Sequence, residues 1–244
     1  MSWKPALAAQ YSLTTARIAQ ACARAGRDPA AITLVAVTKL ASVHQMVEIA
    51  RLGVVQLGEN RVQTLETHRR EFAVQATAAG VEASAVRWHM IGHLQRNKVK
   101  QVLPMVQMVQ SVDSLRLAQE ISTTAMSLGR TMPILMEINA GQEPQKYGFT
   151  LEEAAAAAEQ IARLPAIELC GLMTMAPLTD DIGRIRQAFG RTRELFGQIR
   201  AAGGVGDGFV HMSMGMTSDF EIAIEEGATI VRIGSLLFAE GAAA

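Results

Sequence analysis

The chain has few of the residues that mark secreted, metal-binding or membrane proteins. Only two cysteines occur among its 244 residues, Cys22 and Cys170, and they form no Cys-x-x-Cys pair. We therefore expect neither a disulfide framework nor a cysteine-rich zinc site, and a reducing, cytoplasmic location fits. No stretch approaches the roughly 18 uninterrupted apolar residues of a membrane-spanning helix, and the first residues lack the apolar core of a secretion signal. The sequence thus predicts a cytoplasmic protein without a membrane partner.

An excess of charge of one sign is also missing. Lysine and arginine number 23, and aspartate and glutamate number 23, so the formal net charge is zero. Nucleic-acid-binding proteins usually carry a basic excess, so no nucleic-acid partner is expected. Hydrophobic residues make up 49% of the chain and charged residues 19%, which excludes an intrinsically disordered protein.

Short apolar runs alternate with longer segments at helical spacing along the whole chain. The eight runs span residues 32–37, 54–57, 87–91, 108–112, 133–139, 167–175, 209–214 and 229–233. Continuous apolar runs indicate strands covered on both faces, and therefore parallel strands. Eight βα units in this length predict an α/β protein with a single (β/α)8 barrel of the TIM type. A doubly wound open sheet is the alternative.

Two features extend this barrel prediction. Residues 5–25 precede the first run at helical spacing, so an extra N-terminal helix is expected. Thr150 and Glu153 predict a capping box at the start of an alanine-rich helix. No linker or shift in composition is visible, so residues 1–244 are predicted to form one domain.

Lys39 ends the first apolar run. In (β/α)8 barrels the chemistry lies where the strands end, and the strand bodies are expected to be apolar. A lysine at the rim of a largely apolar pocket is desolvated, which makes its amine nucleophilic enough to form an imine (Schiff base) with an aldehyde. The alternative is a lysine whose side chain reaches from a strand end into water.

Two turns of small residues follow the last two runs. Residues 211–219 read HMSMGMTSD, and residues 232–235 read RIGS. Free backbone amides at such turns, together with a helix that Ser218 is expected to cap, predict an anion site. Barrels commonly bind phosphate after strands seven and eight. Two ordinary turns are the alternative.

Arg232 lies inside the eighth run, where an unpaired guanidinium is costly. It either pairs with Glu137 or Glu221 in a structural ion pair, or it faces a ligand. A lysine, a phosphate site and an inward arginine together suggest pyridoxal phosphate (PLP). An arginine can only donate, so it leaves the pyridine nitrogen unprotonated and the ring a weaker electron sink.

Several segments in order resemble the pyridoxal phosphate homeostasis protein family, single-domain relatives of the alanine racemase N-terminal barrel. The resemblance covers the chain from about Leu34 to Phe238. It is carried by the segments VAVTK (35–39), LGEN (57–60), WHMIGHLQRNK (88–98), QSVDS (110–114), EINAGQEPQKYGF (137–149), GLMTMAP (171–177), HMSMGMTSD (211–219) and VRIGSLLF (231–238). The resemblance implies a protein that binds PLP, buffers it and delivers it to apo PLP-dependent enzymes, without established turnover.

The resemblance also implies roles for eight residues. Lys39 would hold the cofactor as an imine, Asn60 would lie beside its ring, and Arg232 would meet the pyridine nitrogen. The phosphate side would be lined by Ser213, Met214, Gly215, Gly234 and Ser235. His93 stands where a proline is frequent in the family, and Tyr147 where a small residue is common. Neither departure touches the implied cofactor residues.

Two other enzyme classes are open at this point. A PLP-dependent amino-acid racemase or lyase of low activity would use the same lysine. Two-base racemisation needs an acid or base on each face of the substrate carbon. Alanine racemases take a tyrosine for one face from an additional domain, and the resemblance does not extend to that domain. Only Tyr11 and Tyr147 are available here, so no catalytic residue is assigned. A phosphosugar enzyme with a Schiff-base lysine is the other possibility.

Metal binding and oligomeric state complete the expectations. His89 and His93 would share a face of a strand, but no carboxylate accompanies them in that segment, so no metal site is assigned. Without the second domain of the racemases one dimer surface is absent, and a monomer is expected.

Overall fold

Eight parallel strands close into a barrel in sequential order, with β8 hydrogen-bonded back to β1. The computed structural model describes residues 3–143 and 145–238. The strands are β1 (Thr33–Val37), β2 (Gln56–Glu59), β3 (Arg87–Met90), β4 (Met108–Val112), β5 (Met132–Ile138), β6 (Ile167–Thr174), β7 (His211–Ser213) and β8 (Ile230–Ile233). The predicted (β/α)8 barrel is confirmed, and the open-sheet alternative is excluded.

Helices surround the barrel and cover the outer face of its strands. They are α1 (Trp3–Arg24), α2 (Val43–Arg51), α3 (Val62–Ala78), α4 (Val99–Val102), α5 (Leu115–Ser127), α6 (Leu151–Ala162), α7 (Ile182–Ala202), α8 (Phe220–Glu225) and α9 (Ser235–Phe238). The expected N-terminal helix is α1, which packs against α8 and α9. Arg17 of α1 holds Glu221 of α8 with an N–O distance of 3.1 Å. Within the described ranges, the helices are too short or too polar to cross a bilayer.

Local sequence signals set several helix ends. Thr150 and Glu153 form the predicted capping box at the start of α6. Loss of such a cap typically costs about 1 kcal/mol. Ser114 caps α5 through a bond from the amide of Leu117. Gly203 ends α7 in the left-handed region, with φ of 73°, which glycine adopts without a steric penalty.

Two strands differ from the ranges predicted for them. The second strand was predicted at 54–57, but β2 spans Gln56–Glu59. The amide of Val54 instead donates to the carbonyl of Ile49 at the end of α2. The seventh was predicted at 209–214, but β7 spans His211–Ser213. Phe209 instead stacks on Phe196 of α7 at 4.8 Å between ring centroids. An apolar residue next to a strand can thus belong to the layer between sheet and helices.

The inside of the barrel holds both apolar and polar side chains. One apolar cluster contains Val35, Leu135, Cys170, Met173 and Ile230. Side chains alternate along a strand, so the inward residue two positions after Leu135 is Glu137, and the one two positions after Ile230 is Arg232. Both are buried. The expectation of apolar strand bodies is therefore wrong at these positions.

Candidate functional site at the carboxyl ends of β1, β7 and β8

One cavity opens where β1 and β8 end, and the loop after β7 forms its far side. Its volume is about 400 Å³, within the range of small-ligand sites. It is lined by Val37, Lys39, Leu40, Met216, Thr217, Ser218, Arg232, Gly234, Ser235 and Phe238. The strand order of the barrel therefore brings together the predicted lysine, the predicted arginine and both turns of small residues.

Lys39 lies two residues beyond the end of β1. The residue between, Thr38, is fully buried and donates its backbone amide to the carbonyl of Gly58 at 3.0 Å and its hydroxyl to Glu59. These bonds fix the end of β1 against β2. Lys39 itself is exposed as well as lining the cavity, so the desolvation of its amine expected from the sequence is not present.

Arg232 places a buried guanidinium at the wall of the cavity. Nη1 donates to the hydroxyl of Ser213 at 2.6 Å, and Nη2 donates to the carbonyl of Thr174 at 2.9 Å. Burial lowers the pKa of Arg232 to about 10, while the charges of Glu137 and Asp219 raise it. The group is therefore still cationic at neutral pH and keeps three N–H donors that these two bonds do not use.

The two ion-pair partners suggested for Arg232 behave differently. Glu221 is bound to Arg17 through both carboxylate oxygens, so a pair between Glu221 and Arg232 is excluded. Glu137 is buried near Arg232 without a direct salt bridge between them in the described part of the chain. Burial and the charge of Asp113 raise the pKa of Glu137, the charge of Arg232 lowers it, and the result is about 7.

The turn after β7 provides polar groups that face the cavity. The hydroxyl of Ser235 donates to that of Thr217 at 3.1 Å, which joins this turn to the one after β8. The amides of Thr217 and Ser218 bind no carbonyl among the described residues. The prediction that Ser218 caps this helix is wrong. Asp219 directly precedes the six-residue α8, and Oδ1 of Asp219 accepts the amide of Met216 at 2.6 Å. The anion-binding capacity of this loop therefore comes from its amides and hydroxyls.

Two glycines allow the turns to approach the barrel. Gly215 has φ of 94°, and a Cβ there would lie 2.6 Å from Cβ of Ala223 and 2.8 Å from Cα of Phe220. At Gly234 a Cβ would lie 3.1 Å from the carbonyl oxygen of Val37. Glycine at these positions keeps the turns close to the ends of β1 and β8.

Four of the eight residues singled out from the sequence do not line the cavity: Asn60, Ser213, Met214 and Gly215. Ser213 is buried between Arg232 and Gln110. The side chain of Met214 lies in the core, and its amide donates to the carbonyl of Ile230 at 3.1 Å. Asn60 follows β2 and is half-buried. Met214 therefore has no side chain or free amide to offer on the phosphate side, whereas Ser213 contacts Arg232.

Gln110 and His89 belong to the site although the sequence analysis gave them no role in it. Gln110 accepts the hydroxyl of Ser213 at 2.6 Å and contacts Nδ1 of His89 at 2.9 Å. Nε2 of His89 lies 2.7 Å from Oε1 of Gln56. Both ring nitrogens are thus engaged in hydrogen bonds. The available signal was a glutamine and a histidine inside otherwise apolar runs.

His93 and Tyr147, the two departures from the family pattern, meet beyond the ends of β3 and β5. Their rings stack at 3.9 Å between centroids with an interplanar angle of 14°. Nδ1 of His93 lies 2.9 Å from Oδ2 of Asp113. His93 is therefore held by a carboxylate and an aromatic ring, apart from His89. Among described residues no group of three potential metal-ligating side chains is close enough to hold an ion.

The charges of the cavity fit an anion. Its lining contains two cations, Lys39 and Arg232, and no carboxylate among the described residues. Thr217, Ser218 and Ser235 add hydroxyl donors, and Gly234 lets the turn after β8 lie close to the end of β1. A phosphorylated aromatic aldehyde would find an amine for its carbonyl carbon, a cation for a ring acceptor and donors for its phosphate. The residues present therefore fit PLP.

Comparisons with known proteins agree with this geometry. The family model of the alanine racemase N-terminal domain matches residues 12–241. The pyridoxal phosphate homeostasis protein of Aquifex aeolicus is 38% identical over 224 residues, covering 92% of this chain and 93% of that protein.

Two solved structures share the fold along most of their length. An unknown protein from Bifidobacterium adolescentis matches with a TM-score of 0.90 and 36% identity, covering 96% of this chain and 95% of that one. PipY of Synechococcus elongatus, solved with PLP bound, matches with a TM-score of 0.76 and 28% identity, covering 91% and 100%. The chain therefore belongs to the alanine racemase N-terminal domain family and, within it, to the pyridoxal phosphate homeostasis proteins.

Proposed function

We propose that this chain, acting as one domain, binds PLP in the cavity between β1, β7 and β8. The aldehyde carbon would be joined as an imine to Nζ of Lys39, and the pyridine nitrogen would face Arg232. The phosphate would accept from the turns that contain Thr217 and Ser235. The observation that carries this proposal is one cavity with a lysine, a buried arginine and two joined turns, in which the described residues place no carboxylate. The names of the relatives and PLP in the PipY structure support it.

We propose further that the protein holds and releases PLP rather than turning over an amino acid. PLP supplies an electron-withdrawing ring when bound, and that capacity is greatest when the ring nitrogen is protonated. Arg232 has no proton acceptor to offer, and no carboxylate lines the cavity among the described residues, so the nitrogen stays an acceptor. The residues therefore favour storage of the aldehyde, and transfer to apo PLP-dependent enzymes is the use we propose for it.

The test of binding is a titration with PLP followed by removal of free cofactor. Wild type should retain the visible imine band and lose it on borohydride reduction. Lys39→Ala should not retain the band, whereas the matched variant Lys100→Ala, which removes an exposed lysine of α4, should behave as wild type. Equal retention by Lys39→Ala would refute the proposed attachment.

Storage and delivery are tested separately by mixing the loaded protein with an apo PLP-dependent enzyme. Activity of that enzyme should recover while the imine band of the loaded protein declines. Recovery no faster than with the same amount of free PLP, together with an unchanged band, would contradict delivery.

A PLP-dependent racemase or lyase of low activity is the alternative. The observation that favours it is the exposed phenol of Tyr147, stacked on a histidine that contacts Asp113 at the same end of the barrel. Chiral chromatography after incubation with L-alanine or L-serine distinguishes the two functions. D-isomer or lyase product that depends on both Lys39 and Tyr147 would establish the enzyme.

A further inference from the structure

A hydrogen-bonded chain of side chains runs through the barrel interior from β8 to β2. Arg232 Nη1 lies 2.6 Å from Ser213 Oγ, which lies 2.6 Å from Gln110 Oε1. Gln110 Nε2 lies 2.9 Å from His89 Nδ1, and His89 Nε2 lies 2.7 Å from Gln56 Oε1. Ser213 and Gln110 are fully buried, and Arg232 and His89 are at most 5% exposed. Only the Gln56 end is partly open to solvent.

The direction of this chain follows from Arg232 and from the amide of Gln110. Ser213 accepts from Arg232, which can only donate, and gives its hydroxyl proton to Oε1 of Gln110, which can only accept. The amide nitrogen of Gln110 then donates to Nδ1 of His89. His89 must be neutral with its proton on Nε2, which donates to Gln56. In this arrangement each donor of the chain meets one acceptor.

The charge state of His89 agrees with this direction. Burial, together with the charges of Arg87 and His211, lowers its pKa to about 4. An imidazolium would place a proton on Nδ1 facing the amide protons of Gln110 and would break the chain there. At neutral pH the chain is therefore intact, and it carries no second positive charge near Arg232.

We propose that Gln110 and His89 are positioning residues that aim the guanidinium of Arg232 at a hydrogen-bond acceptor in the ligand ring. The inference rests on the proposed function, because it assumes that PLP occupies the cavity. Arg232 has two protein acceptors, Ser213 Oγ and the carbonyl of Thr174. The first is a rotatable hydroxyl, and the acceptor beyond it, Gln110, is itself held by His89. Loss of Gln110 leaves the Ser213 hydroxyl free to rotate, and loss of His89 leaves the Gln110 amide free to turn.

The test compares PLP with 1-deazapyridoxal 5′-phosphate, in which a C–H group replaces the ring nitrogen. Both compounds keep the aldehyde and the phosphate, so their ratio of dissociation constants isolates the contact with the nitrogen. Wild type should bind PLP about tenfold more tightly, the size expected for a hydrogen bond to a charged group. Gln110→Met, which keeps the volume and removes both hydrogen bonds, should reduce the ratio to about two.

A pair of variants at His89 provides an independent test if Gln110→Met does not fold. His89→Asn keeps an acceptor near the Nδ1 position and should keep most of the wild-type ratio. His89→Leu removes the acceptor and should lose it. Ser122→Ala is the control. Ser122 lies in α5, away from the site, and its buried hydroxyl donates to the carbonyl of Pro165. The substitution should lower stability without changing the ratio.

The outcomes separate this inference from the proposed function. An unchanged ratio in Gln110→Met or in His89→Leu would overturn the positioning role, as would an equal weakening of both ligands. A wild-type protein that binds the two compounds equally would also overturn it. The proposed function is refuted by a different result, the failure of wild type to form a borohydride-stable adduct at Lys39.

Discussion

Nη1 of Arg232 donates to the hydroxyl of Ser213 at 2.6 Å, and both residues are buried at the mouth of the barrel. The bond joins β8 to β7, the two strands whose following turns line the cavity. Because the guanidinium cannot accept a hydrogen bond, it also sets the direction of the Ser213 hydroxyl. The cation at one end of the cavity and the turns at the other are thus held by the same two strands.

Ser213→Ala should weaken PLP binding about tenfold. The change leaves Nη1 of Arg232 without its acceptor and Oε1 of Gln110 without its donor, and buried groups without partners cost about 1–3 kcal/mol. Absorbance titration measures the affinity, and urea unfolding measures the stability. Ser122→Ala, which also removes a buried hydroxyl, should lower stability only. An unchanged PLP affinity in Ser213→Ala would show that Ser213 does not act through Arg232.

Glu137→Gln should stabilise the protein without cofactor, and the effect should grow with pH. Burial raises the pKa of Glu137 from 4.5 to about 7. A raised carboxyl pKa means that its favourable contribution is present below about 4.5 and is lost as pH rises through 7. The variant should therefore gain about 3 kcal/mol over wild type between pH 4.5 and pH 8. Urea unfolding at several pH values measures this gain.

Glu194→Gln is the matched control for that series, since Glu194 is exposed on α7 and should show no such trend. A constant difference between Glu137→Gln and wild type from pH 4.5 to pH 8 would contradict the raised pKa.

His89→Asn should reveal the opposite dependence. Burial lowers the pKa of His89 from 6.5 to about 4. Its neutral form therefore contributes stability above about 6.5, which is lost as pH falls through 4. Relative to His89→Asn, wild type should lose up to about 3 kcal/mol between pH 7 and pH 4. His44→Asn, at an exposed position on α2, serves as the control. Parallel unfolding curves for wild type and His89→Asn would count against the neutral, buried imidazole.

Gly215→Ala should destabilise the turn that forms one side of the cavity. The residue has φ of 94°, and the new Cβ would lie 2.6 Å from Cβ of Ala223, so strain and overlap add. We expect a loss of about 3 kcal/mol and weaker PLP binding. Gly206→Ala is the control, because a Cβ there meets nothing within 4 Å, and it should change stability by at most about 0.5 kcal/mol. A thermal unfolding midpoint equal to wild type in Gly215→Ala would refute this account of the turn.

The fold was predictable from the sequence because parallel strands in a barrel are covered on both faces. Each of the eight apolar runs contains a strand or overlaps one. The ends of the runs were less reliable, since residues such as Phe209 are apolar for a different reason: they fill the layer between strands and helices. Composition alone does not distinguish that layer from a strand.

The site was predictable only where residues follow strand ends. Lys39, Arg232, Gly234 and Ser235 line one cavity because consecutive barrel strands bring their ends together. Gln110 was missed because its partner Ser213 lies 103 residues away, across the barrel, and no local pattern reports such a contact. The predicted helix cap at Ser218 was also wrong, because the side chain of Asp219 accepts the amide of Met216 and sets the shape of this turn.

The most direct test of the central claim is peptide mapping of protein that has been incubated with PLP and reduced with borohydride. The account predicts one pyridoxyl phosphate group per chain, on the peptide that contains Lys39, and none on Lys98 or Lys100. Arg232→Met should reduce the yield at limiting PLP. Modification spread over several lysines, or confined to a lysine outside the cavity, would contradict the claim that this cavity holds the cofactor.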